Sequence, residues 1–128
     1  MMMKTSTALA AVLAVFVTSL PVADANAANI RVKCEQRSDR SKVSVDGNNL
    51  VAGDYIAKIK SGSNTKKSDS KATTGDEIGF DFDSDAGAIA AGAKRISRTF
   101  IQGGQVTGQL INADGFTVAQ ATATCSIK

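Results

Sequence analysis

VTGQLINADGFTVAQATATCSI, residues 106–127, is the stretch that decides the fold class. Ala119, Ala121, Ala123, Cys125 and Ile127 share one face of its second half, and Thr122, Thr124 and Ser126 share the other. A period of two residues belongs to a strand, whereas a helix repeats every 3.6. Between the two runs, Asn112-Ala113-Asp114-Gly115 supplies the Asp-Gly pair that favours a tight hairpin. Phe116 and Val118 fall out of phase with the alanines, so a bulge near Ala119 is expected.

The same alternation recurs upstream. Ile30, Val32 and Cys34 alternate with Arg31, Lys33 and Glu35, and Val43 and Val45 alternate with Lys42, Ser44 and Asp46. Asp46-Gly47-Asn48-Asn49 reads as a turn. Tyr55, Ala57 and Ile59 point one way, with Ile56, Lys58 and Lys60 the other; Ile78, Phe80 and Phe82 line a further inward face. Ile96–Ile101 reads as another strand, ended by Gly103-Gly104. Ser61–Thr74 is polar and basic and reads as a long exposed loop or a poorly paired edge. The alanines of Ala86–Ala93 suit a helical turn or two, opposed by Gly87 and Gly92. About seven short strands with regular turn signals predict an all-β chain: a single antiparallel β-sandwich, loosely immunoglobulin-like.

The chain has two cysteines, Cys34 and Cys125. They are expected to form a disulfide that closes a loop of about 90 residues and contributes roughly 4–5 kcal/mol in the chain-entropy model. Ahead of them, Lys4, an apolar run from Ala8 to Val17 and the small residues of Ala23-Asp24-Ala25-Asn26-Ala27 have the form of a cleaved secretion signal over residues 1–27. The apolar run is shorter than the ~20 residues that span a bilayer. Residues 28–128 are then one disulfide-stapled domain with no transmembrane segment, placed in the periplasm or outside the cell, where disulfides persist. The absence of Asn-x-Ser/Thr in that domain, with the Ala-rich signal, fits a bacterial protein.

Composition removes several function classes. There is no His and no Trp, and the three Met are the first three residues. Ser-His-Asp and Cys-His catalysis and the usual zinc, copper and haem ligand sets are therefore excluded. A net charge of +3 and a single Tyr do not describe a nucleic-acid binder. The expectation is a secreted protein that is not an enzyme and works by binding, assembly or self-association; a small enzyme or inhibitor is the remaining class.

Charge is unevenly placed, with ten Lys/Arg against five Asp/Glu between Arg31 and Lys71, then five acids and no base between Asp76 and Asp85. Asp81, Asp83 and Asp85 stand at alternating positions, so a continuing strand would put all three on one outward face, an arrangement that Ca²⁺ relieves. The Asp-x-Asp-x-Asp spacing opens like a calcium loop, but Gly92 stands where its closing Glu belongs. These three are the candidate metal ligands and Ca²⁺ the candidate cofactor. Lys66, Lys67 and Lys71 are the candidate contact for an anionic surface or polysaccharide.

Overall fold

The computed structural model describes residues 27–128. The expected signal segment lies, up to residue 26, outside the described residues. Nearly all regular structure in the domain is strand. β1 (Asn29–Arg37) and β2 (Arg40–Asn48) form a hairpin closed by Ser38-Asp39, with Arg37 opposite Arg40. β3 (Asp54–Ser61) turns at Gly62 into β4 (Asn64–Lys67), and the two-residue β5 (Lys71–Ala72) also pairs with β3. β6 (Ile78–Asp83) leads into a short helix, α1 (Ala86–Ala90), and the two-residue β7 (Lys94–Arg95). β8 (Gln105–Asn112) and β9 (Thr117–Thr124) are the C-terminal hairpin, followed by β10 (Ser126–Ile127).

Two sheets result. The first has the order β10-β1-β2-β6-β7; the second has the order β4-β3-β8-β9, with β5 beside β3. Inward residues of both form one core: Val43, Val45, Phe80 and Phe82 from the first, Ala57, Ile59, Val106 and Leu110 from the second. A glycine in each sheet permits close approach. A Cβ on Gly108 would stand 2.7 Å from Val32 Cγ2, and one on Gly47 would collide with the side chain of Leu110.

At the corner where the sheets meet, β9 ends at Thr124, Cys125 changes sheet, and β10 joins β1 in parallel. The Cys34–Cys125 disulfide fastens this corner, with Cα atoms 4.6 Å apart. The crossover puts Ile127 outside, 73% exposed, instead of on the alanine face. The bulge lies where the phase change indicates: Leu110 pairs with Ala119 and Ile111 with Thr117, leaving Val118 extra.

Two expectations need correction. The Asp46–Asn49 turn comes late: β2 continues through Asn48, and Asn49 alone takes a left-handed φ of 58°. Gly47 is there for sheet contact, not for turning. Ile96–Ile101 is not a strand. Ile96, Phe100 and Ile101 are buried, but their segment is irregular: Ile96 N donates to Asp83 O of β6 at 3.0 Å, and beyond it side chains bind the backbone. Buried Ser41 Oγ donates to Arg98 O (2.8 Å), Asn64 Nδ2 donates to Phe100 O (2.8 Å), and Gln102 N donates to buried Ser61 Oγ (2.8 Å). Of the two forms expected for Ser61–Thr74, the segment takes the edge, since β4 and β5 both bond to β3.

Candidate functional site

The three aspartates have separate fates. Asp81 is exposed on the outer face of β6. Asp83 points the same way but is only 2% exposed. Arg40 covers it, donating from Nε to Oδ1 at 2.9 Å and from Nη2 to Oδ2 at 2.6 Å. The bidentate geometry is what a guanidinium offers a carboxylate. Burial works against the charged carboxyl of Asp83. The Arg40 hydrogen bonds and the Asp85 and Ser84 N–H groups outweigh it and hold the pKa below the usual carboxylate value. The same hydrogen bonds raise the pKa of Arg40. Asp85 is the N-cap of α1, its Oδ2 accepting from Ala88 N at 3.1 Å. Asp81 and Asp83 line one hollow, shared with Arg40, Lys42 and Lys71. Among the described residues no three His, Cys, Asp or Glu side chains converge.

The candidate lysines also divide. Lys71 reaches across to the first sheet, donating to Gly79 O with its ammonium 5.2 Å from the Phe80 ring centroid. Lys66 sits on the inward side of β4, half-buried, in a cleft with Arg95 and Arg98. Lys67 alone faces out from the second sheet, and there it has company that the sequence reading did not give it. Lys58 stands directly opposite Lys67, and Lys60 lies two residues along β3. None of the three belongs to the salt bridges of the described residues, which are Arg37–Glu35, Arg40–Asp83 and Lys94–Asp69. Like charges directly opposite in a sheet cost up to about 1 kcal/mol. Alternation marked Lys58 and Lys60 as outward, but only the β3–β4 register brings Lys67 to them.

The rest of this outer face is a lattice of hydroxyl and amide groups. Thr107 Oγ1 and Thr122 Oγ1 lie 2.7 Å apart, and Gln109 Nε2 donates to Gln120 Oε1 at 2.6 Å. It is polar, and Lys60, Thr107, Gln109 and Gln120 border an open hollow at its Gly62–Gly103 end.

The sheet edges differ sharply. The first sheet ends in β7 and β10, two residues each, which cover only Phe82-Asp83 of β6 and Glu35-Gln36 of β1; the uncovered edge of β1 carries Arg31 and Lys33 and that of β6 carries Asp81. The second ends on one side in β4, four residues with Lys66 and Lys67, and on the other in β9, eight residues with no charged side chain. Short length and lysines protect a strand edge from pairing with other chains, and β9 has neither. Its free backbone groups can be named. Cys125 N donates to Gly104 O at 2.8 Å. In an antiparallel ladder, residues that exchange hydrogen bonds alternate with residues whose N–H and C=O point away. Ala123, Ala121 and Ala119 therefore bond to β8 through the register with Val106, Gly108 and Leu110. Gln120, Thr122 and Thr124 direct theirs out of the edge.

No family model matches the chain, and no curated protein or solved structure matches it.

Proposed function

We propose that this chain is a non-catalytic binding or assembly protein of the periplasm or extracellular space, and that it pairs with a second copy of itself along β9. The observation that carries the reading is the unguarded edge, with backbone groups of Gln120, Thr122 and Thr124 facing outward. Two copies related by a two-fold axis at Thr122 would set Gln120 of one against Thr124 of the other, and Thr122 against Thr122. Each pair would exchange two hydrogen bonds in an isologous contact with no charge opposing charge.

The disulfide supports the compartment, since such bonds persist where the redox poise is oxidising. The strand order supports the loosely immunoglobulin-like architecture. β1, β2 and β6 take the places of strands A, B and E in that fold, and β4, β3, β8 and β9 those of C′, C, F and G. A polar outer face and the lack of His favour binding over catalysis. The calcium alternative through Asp81, Asp83 and Asp85 would require Asp83 to leave Arg40 and Asp85 to leave the α1 cap, so it is not the reading adopted.

Sedimentation velocity of the oxidised protein over a concentration series tests the proposal. Wild type is expected to convert from monomer to dimer as concentration rises. Thr122→Pro removes an outward N–H without touching the β8 ladder, a position where an edge strand accepts proline. It should remain monomeric with its melting temperature nearly unchanged. A wild type that stays monomeric throughout, or a Thr122→Pro variant that associates equally well, would overturn the reading.

A further inference from the structure

We infer that the outer face of the second sheet binds an acidic polysaccharide, a linear uronate polymer lying across the strands. Register sorts the face into two cross-strand rows. One runs Lys67, Lys58, Gln109, Gln120; the other runs Thr65, Lys60, Thr107, Thr122. Each row crosses four strands, about 15 Å at the usual strand spacing. Cations occupy the β3–β4 half and hydrogen-bonding groups the β8–β9 half.

The charge asks for an anion. Lys58 and Lys67 repel one another, and neither is in a salt bridge among the described residues; Asp69, two residues beyond Lys67, pairs with Lys94. The nearest acid projecting from the same face of β3 is Asp54, about 13 Å back along the strand from Lys58. A polymer carrying carboxylates at intervals relieves that repulsion along a row. The Thr107–Thr122 and Gln109–Gln120 pairs are already oriented by their mutual hydrogen bonds and offer donors and acceptors to sugar hydroxyls.

Other polyanions fit less well. The rows contain no aromatic ring on which a nucleobase would stack. They contain none of the exposed large apolar side chains, Val51, Phe116 and Ile127, so nothing in them would enter a lipid headgroup layer.

Binding to alginate, to neutral dextran and to phosphatidylglycerol vesicles is measured at low salt, at concentrations where the protein sediments as a monomer. The outcome is then independent of β9 pairing. Alginate is expected to bind, weakening as salt rises, and dextran is not. The triple variant Lys58→Gln, Lys60→Gln, Lys67→Gln should lose affinity by roughly tenfold or more, a difference of about 1.4 kcal/mol, while its melting temperature does not fall. Gln109→Ala with Gln120→Ala should weaken alginate binding and leave any vesicle binding unaltered. Arg31→Gln with Lys33→Gln, exposed on the outer face of β1 in the other sheet, should bind as wild type. Tighter binding to vesicles than to alginate, equal binding to dextran, or an equal loss in the Arg31/Lys33 variant would overturn the assignment.

Discussion

The second sheet has two edges made by the same chain under the same rules, and they are finished differently. β4 is four residues long, carries Lys66 and Lys67, and leads into the short β5 that lies along the same strand, β3. β9 is twice that length, uncharged, and leaves a row of backbone donors and acceptors open. Charge on an edge strand costs something, as the Lys58–Lys67 contact shows, and protects against unwanted pairing. Where that protection is missing, the edge is free to take a partner.

The largest expected effect concerns how β9 is held. Its C-terminal end is pinned to β1 by the disulfide, whereas β4 relies on its hairpin. Cys34→Ser with Cys125→Ser should lower stability in urea unfolding by roughly 4–5 kcal/mol. Loss of under about 1 kcal/mol would mean that the core alone fixes the corner.

Next comes the buried pair behind β6. Arg40→Ala strips Asp83 of its partner and should lower the melting temperature by several degrees. Because the folded pKa of Asp83 is depressed, its contribution to stability is present above the ordinary carboxylate value of 3.8 and is lost as pH falls through the lower folded value. An acid titration of stability should therefore drop below about pH 4, and Asp83→Asn should flatten that drop. An unchanged acid branch in Asp83→Asn would assign the acid loss to other carboxylates.

The smallest energetic effect sharpens the edge comparison most. Lys66→Thr with Lys67→Thr removes the guard from β4 and should raise stability by a few tenths of a kcal/mol through loss of the Lys58–Lys67 contact. It should also let the protein assemble beyond a dimer in sedimentation, because two open edges on one sheet permit chains of copies. A variant that behaves as wild type would show that length, not lysine, protects β4.

Much of the fold was legible because burial writes itself as alternation. Val43 and Val45, then Tyr55, Ala57 and Ile59, then Ile78, Phe80 and Phe82 all face the core as their spacing indicates. The disulfide and the Val118 bulge were legible for similar local reasons. What escaped was decided by distant partners. Gly47 looks like a turn residue until Leu110 is seen against it. Ile96–Ile101 has strand-like composition, yet Ser41 and Asn64 claim its backbone and Ser61 that of the next residue, Gln102. Asp83 looks like a surface carboxylate until Arg40 covers it. The functional surfaces follow the same logic. The sequence shows that residues 117–124 carry no charge, but not that they form an edge. It turns Lys58 outward but leaves Lys67 without a register.

Amide hydrogen exchange along β9, followed as protein concentration is raised, tests the central claim most directly. The amides of Ala119, Ala121 and Ala123 bond to β8 and should be protected at every concentration. Those of Gln120, Thr122 and Thr124 should exchange quickly in dilute protein and become protected as copies pair. Rapid exchange at those three positions in a sample that is demonstrably dimeric would contradict the account, as would protection of all six in dilute monomer.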